Sequence, residues 1–435
     1  MKARERLEAP ASVAVEVPAE PLPAPSERDR GSTWRRGALA PLKHRDFALF
    51  WTGAFISNAG TWLQNAVLAW VVLQITDSPF WTAMVPFAQF FPMLLFGLPG
   101  GLAADRLERR RVMIATQSVM MGVAFALAAI TFTGHAAVAT VLPVIALGGV
   151  ALAFNAPAFQ ALVGDLVPRD VMLDAVSLST AQFSAARVVG PVVGGIVVAS
   201  IGAGWAFLIN GLSFLAVIAA LWVIRPQRQE RPTSTGARAL FGGVRHMNAT
   251  PTIKAIIGLT SVLSFFTAPV IALLPVIARD GLRLGAGGYG GLFAAFSAGA
   301  VIGAIRTAWI VRRLGLWRGL NLGMATLAVA VLAVALSRNV VLTSLALAAV
   351  GFAYTATVSA TNSALQVTVP ASKKGRVMSL YMMAWAGLFP VGSLLAGAAA
   401  TLTGAPATLA FASIPLAVAT VVVRLRGKTF RSIAV

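Results

Sequence analysis

Between Phe47 and Arg426 the chain is a succession of uniformly apolar runs, each about 20 residues long and separated from the next by a short polar turn. A run of that length, wound as α-helix, crosses the hydrocarbon core of a bilayer, where every backbone N–H and C=O must be satisfied within the segment. The runs do not alternate apolar with polar residues, so they exclude barrel strands and predict helices. Twelve windows can be placed, starting near Ala48, Phe80, Val112, Ala137, Val176, Trp205, Ile253, Gly287, Leu320, Val340, Val377 and Ala407. With 57% hydrophobic and only 11% charged residues, and a mean hydropathy of +0.79, the chain lacks the polar surface of a water-soluble domain. The expected fold class is an all-α membrane protein of twelve transmembrane helices.

The polar stretch between the sixth and seventh windows divides the runs equally. We read residues 1–46 as a disordered cytosolic tail rich in Pro, Ala, Glu and Arg, with no secretory leader. Residues 47–225 form a first six-helix half, 226–252 a cytosolic linker, 253–426 a second half, and 427–435 a cytosolic tail. The net charge of +20 would suit nucleic acid, but its placement points elsewhere. Of the 35 Lys and Arg, 30 fall on one side of the predicted spans, while the opposite loops hold only Arg279, Arg283 and Arg338. This bias orients the chain with both termini in the cytoplasm of an inner membrane, and no nucleic-acid partner is expected.

The chain also repeats itself. At an offset of 202 residues, Val167-Pro168 falls on Val369-Pro370, Ser177-Leu178 on Ser379-Leu380, and Val189-Gly190 on Val391-Gly392. Gly195 meets Gly397, Gly202-Ala203 meets Gly404-Ala405, Gly101 meets Gly303, and Arg110-Arg111 meets Arg312-Arg313. Two parallel halves of one topology place a substrate site between them, near the membrane midplane.

Twelve spans in two parallel sixes, a long middle linker, and the turn "GGLAADRLERR" resemble the major facilitator superfamily. Its signature Gly-x-Leu-Ala-Asp-Arg-x-Gly-Arg-Arg is matched by Gly101, Ala104, Asp105, Arg106, Arg109 and Arg110, with Ala103 in place of Leu and Glu108 in place of the second Gly. "ISNAGTWLQNAVLAWVVLQIT" together with "GDLVPRD" is similar to the branch containing siderophore (enterobactin-type) and macrolide exporters. The resemblance implies that the turn bridges the halves and stabilises the outward-facing state with Asp105 at its centre. It also implies transport by alternating access, possible coupling to protons, and a central cavity lined by spans one, four, seven and ten. The arginines of the turn additionally suit anionic membrane lipids.

In span five, Ser177, Thr180, Ser184 and Arg187 recur at helical spacing, and their stripe continues through Gly190, Pro191, Gly194 and Gly195. A charge at that depth costs roughly 2.5–3.5 kcal/mol on insertion scales, so Arg187 must face protein interior or water. The Gly-Pro-x-x-Gly-Gly element resembles the superfamily's antiporter motif, which marks exporters; its small residues also suit close helix packing. Candidate cavity residues are Asn58, Thr61 and Asn65 in span one, Asn155 in span four, and Tyr354, Thr357 and Thr361 in span ten. For the Ser and Thr among the polar span residues, an intrahelical hydrogen bond competes with any substrate contact. None of the 15 acidic residues lies in the middle of a span, so Asp77 and Asp165, at span mouths, are the coupling candidates. Arg187 as the sole deep charge favours anionic or neutral, partly aromatic substrates.

The chain has no Cys, and His44, His135 and His246 are scattered. Neither a catalytic constellation nor a cofactor or metal site is expected, and no enzymatic activity. The expected function is secondary active efflux of a small hydrophobic or amphiphilic compound by a monomeric transport unit. The alternatives are an importer or lipid-type translocator of the same fold, or a non-transporting membrane sensor or scaffold.

Overall fold

The computed structural model describes residues 39–225, 247, 250–369, 377–378 and 380–425. The tail through residue 38, most of the 226–252 linker and the 427–435 tail lie outside the described residues. Twelve long helices follow one another: α1 Arg45–Thr76, α2 Pro79–Arg106, α3 Arg109–Phe132, α4 Val138–Asp165, α5 Met172–Ser200 and α6 Ala203–Val223, then α7 Pro251–Ala272, α8 Ala286–Leu314, α9 Leu316–Leu336, α10 Val340–Thr368, α11 Leu380–Thr403 and α12 Ala405–Leu425. α7 runs on through Leu274–Val276 into a wide π turn at Ile277–Gly281, and a second π turn, Met383–Gly387, lies within α11. No strand occurs among the described residues. Each expected span coincides with one of these helices to within a few residues. We call the end of the bundle that carries Arg109–Arg111 and Arg312–Arg313 the basic end, and the end that carries Asp77, Arg279 and Arg338 the far end.

Eleven of the described helices are long and apolar enough on those grounds alone to cross a membrane. The remaining one is α1, whose 32 residues exceed a bilayer's thickness but are diluted by Ser57, Asn58, Thr61, Gln64 and Asn65. Its polar groups have partners on four different helices. Ser57 donates to Gln117 of α3 at 3.5 Å and Asn58 to Gln182 of α5 at 3.4 Å. Asn210 of α6 donates to Gln64 at 2.8 Å, and Gln89 of α2 to Asn65 at 2.8 Å. Such interhelical bonds average about 0.6 kcal/mol in a bilayer, so the set contributes about 2 kcal/mol and fixes the order of helices around α1.

Apolar packing completes each half. Phe47, Phe50, Met113, Leu162 and Leu221 form a buried cluster toward the basic end, and Leu63, Leu68, Val72, Leu127 and Phe207 another toward the far end. The core of α7–α12 is continuous and also takes in Ala66, Trp70 and Leu73 of α1.

The sequence repeat reappears as geometry. A Cβ on Gly190 would lie 2.6 Å from the Ala59 carbonyl and 2.7 Å from the Leu63 nitrogen, so α5 and α1 touch backbone to backbone there. At the same offset, a Cβ on Gly392 would strike the carbonyl of Phe265, bringing α11 against α7 in the same register. Gly202 and Gly404 take positive φ, 97° and 82°, at the equivalent turns α5–α6 and α11–α12, where an L-side chain would be strained.

Close approach makes the small residues sensitive to size. Gly351 of α10 faces the Phe296 carbonyl of α8 with no room for a Cβ, whereas Gly258 of α7 has open space beside it. Gly351→Val should cost roughly 1–3 kcal/mol and lower the melting temperature of the purified protein, while Gly258→Ala should leave it unchanged or raise it.

Candidate functional site

At the basic end, the charged turn is tied into the first half. Arg109 donates to both carboxylate oxygens of Asp165 at 2.7 Å and to the Ala161 carbonyl at 3.3 Å, bracing α3 against α4. Arg110 donates to the carbonyls of Leu221 and Trp222 at the C-terminus of α6, where the helix dipole favours a cation, and lies 6.0 Å from the Trp222 ring. Glu108, the departure from the superfamily signature, pairs with Arg111 at 2.6 Å on the surface. Arg106 is exposed. Asp105 is partly buried near the end of α2 and forms no ion pair or hydrogen bond with another described residue. Gly101 looks into open space; its neighbour Gly100 is the one pressed against the Ala153 carbonyl of α4.

The two halves meet toward the far end, through two contacts related by the repeat. A Cβ on Gly195 of α5 would sit 3.1 Å from the Ala286 carbonyl and from the Gly290 Cα of α8, and a Cβ on Gly290 would lie 2.8 Å from the Pro191 carbonyl. Gly397 of α11, the repeat partner of Gly195, abuts Ala83 of α2, with the Pro79 carbonyl and Phe80 Cα 3.1 Å from its would-be Cβ. Trp70 of α1 stacks on Tyr289 of α8 at 5.6 Å. An ion pair crosses the same end: Arg279, in the π turn after α7, pairs with Asp77 and with Asp280, and reaches the Leu73 carbonyl at the C-terminus of α1 at 3.4 Å. Asp77 and Arg279 are themselves 202 positions apart. The Asp77 side chain is 82% exposed, and pairs in water contribute about 0–1 kcal/mol. Closure of the far end therefore rests chiefly on the glycine contacts, with the ion pair as a minor brace.

Arg187 occupies the middle of α5, between those contacts and the basic end. Its guanidinium lies 5.0 Å from the ring of Trp62 in α1 and 5.2 Å from the ring of Phe296 in α8, so it touches both halves. Cation–π contacts recover about 0.5–2 kcal/mol each, which offsets much of the cost of a charge at this depth. Pro191 has no N–H, so the carbonyl of Arg187 gives up its intrahelical bond. Nearby, the π turn of α11 carries Trp385, whose Nε1 donates to the Tyr354 hydroxyl at 2.9 Å and whose carbonyl accepts from Ser264. Phe183 packs edge-on against Trp62 at 5.8 Å.

The other polar residues expected at the cavity mostly hold helices together. Asn58 and Asn65 serve α1, as described above. Thr61 bonds back to the Ser57 carbonyl at 2.9 Å. Asn155 is buried and donates to Thr116 of α3 at 2.9 Å. Thr357 and Thr361 are buried and bond to carbonyls one turn back, Thr361 also to the Tyr381 hydroxyl. Of the expected set, Tyr354 and Arg187 are brought together at the centre. Gly190 and Gly194 face α1, while Pro191 and Gly195 face α8, so the span-five motif packs within its half and across to the other. Of the two carboxylates read as coupling candidates, Asp165 is held within the first half and Asp77 sits on the contact between halves. Trp62, Phe296 and Trp385 were not singled out by the polar stripe. The available signal was the depth of Trp62 and Trp385, since Trp normally gathers at membrane interfaces. No cluster of three or more His, Asp or Glu able to hold a metal occurs among the described residues.

Residues 36–432 match the model of the transmembrane secretion effector family. The chain is 27% identical to the multidrug efflux pump Tap of Mycolicibacterium fortuitum over 376 residues, 83% of this chain and 91% of that one. It is 25% identical over 272 residues to the enterobactin exporter EntS of Shigella boydii serotype 18, covering 61% of this chain and 64% of that one. Its fold is similar to the crystal structure of a bacterial homologue of the human lysosomal transporter Spinster, with a TM-score of 0.72 at 14% identity over 89% of this chain and 98% of that one.

The absence of native cysteine permits a clean accessibility test of the far end. Val198 borders the narrow space between Gly195 and Tyr289, and a single cysteine there should be labelled slowly by an impermeant maleimide. Gly290→Val should speed that labelling many-fold by wedging α5 from α8, while Arg279→Ala should change it by no more than about fivefold.

Proposed function

The chain is a member of the transmembrane secretion effector family of the major facilitator superfamily, a multi-pass inner-membrane transporter, and on that footing we propose that it exports a small hydrophobic or amphiphilic compound by alternating access. The basic end and both termini face the cytosol in this reading, following the Lys and Arg bias. The carrying observation is the pair of contacts at Gly195 and Gly397. They join the halves toward one end through small residues at equivalent positions, the geometry a rocking pair of bundles needs. With that end external, the structure is a conformer closed to the outside and loaded from the cytosol.

In this cycle Asp105 acts in the opposite state. It is unbonded here because the halves are apart at the basic end, and it engages the second half when they close there. Asp77 is the favoured coupling group, since its pair with Arg279 must break for the far end to open. The efflux functions named for Tap and EntS support export over import.

Inverted membrane vesicles energised with a proton gradient test the reading with a panel of macrolides, dyes and siderophores. They should accumulate at least one compound, and Asp105→Ala or Arg187→Ala should abolish that accumulation. Deleting residues 1–40 should leave it intact. A sensor or scaffold would show the reverse dependence, and an importer would load right-side-out cells instead.

A further inference from the structure

Arg187 is the one charge at mid-depth among the described helices, and its surroundings leave it half satisfied. Guanidinium presents five N–H donors in a planar fork. The Trp62 and Phe296 rings offer it π-electron density but no oxygen. Nε is sealed from solvent with no hydrogen-bond partner, and no acid answers the charge, because every acidic side chain among the described residues lies at or beyond a helix end. The side chain as a whole is partly exposed, so its terminal donors remain reachable.

A second donor stands beside it. The Tyr354 hydroxyl is near enough to feel the charge of Arg187. Its oxygen already accepts from Trp385, which leaves its proton without an acceptor among the described residues. Two donors, aromatic walls and no acceptor describe the complement of an oxyanion. Arg is the side chain whose fork matches a carboxylate with two parallel hydrogen bonds. The neighbouring Phe183, Trp62 and Trp385 suit a flat apolar body attached to that group.

We infer that Arg187 anchors an anionic group of the transported compound, a carboxylate or similarly planar oxyanion carried on an aromatic or greasy body. This rests on the export reading above and names its substrate class. It also ties loading to motion. Trp62 belongs to one half and Phe296 to the other, so an oxyanion seated on Arg187 alters a contact that both halves share.

The test uses three matched probes on the full-length protein in nanodiscs: 1-naphthoate, the neutral 1-naphthamide and the cationic 1-naphthylmethylammonium. Binding is read by quenching of tryptophan fluorescence. Naphthoate should bind at least about tenfold tighter than the amide, with the ammonium weakest. Arg187→Gln should reduce naphthoate to the level of the amide without lowering the melting temperature, because it removes an unpartnered charge. Arg187→Lys, which keeps the charge but not the fork, should lose most of the preference, and Tyr354→Phe part of it. Equal affinity for the three probes overturns the assignment, as does no naphthoate binding up to about 1 mM. A preference that survives in Arg187→Gln overturns it too; should that variant fail to fold, an undiminished preference in Arg187→Lys does the same. Failure of the export reading is a separate result: vesicles that accumulate nothing while naphthoate still binds through Arg187.

Discussion

In a bilayer, helices gain nothing by hiding apolar surface from water, because the surrounding lipid is equally apolar. What holds two spans together is how closely their backbones approach, and the arrangement of this protein follows from where that approach is allowed. Gly190 and Gly392 seat α5 on α1 and α11 on α7; Gly195 and Gly397 seat α5 on α8 and α11 on α2. The first pair builds each half and the second joins the halves. Because both pairs recur on α5 and α11, these two helices carry the internal architecture and the joint at once.

The polar groups divide between two tasks. In α1, Ser57, Asn58, Gln64 and Asn65 are satisfied by α3, α5, α6 and α2, so a span that looks marginal by hydropathy is the hub of its half. At the centre, the reverse holds for Arg187, which keeps unmet donors. A group left unsatisfied where its neighbours are all satisfied departs from the economy of the rest of the structure, and such departures gather at functional sites.

This contrast also explains what was legible in the sequence. Length and uniform apolarity were enough for the helices, since a bilayer permits few alternatives. The fixed offset of 202 anticipated equivalent contacts, because close-packed glycines tolerate little drift. The polar cavity residues were not legible in the same way. Asn155 pairs with Thr116 and Thr361 with Tyr381, and a partner on another helix leaves no mark at fixed spacing along the chain. Gly101 and Gly100 illustrate the finest scale: the motif names the first, while the packing uses the second, one residue and about 100° of helix away. Trp62 and Phe296 escaped notice because aromatic residues in an apolar run look like ordinary bulk.

The bridge between Asp77 and Arg279 bears on the history of the duplication. Two identical halves would set the same side chain on either side of the axis, acid against acid or base against base, and repel. The attraction exists because the copies have drifted apart at this position. A symmetric dimer of either half alone would lack this brace, so part of what binds the two copies became available only after their sequences ceased to match.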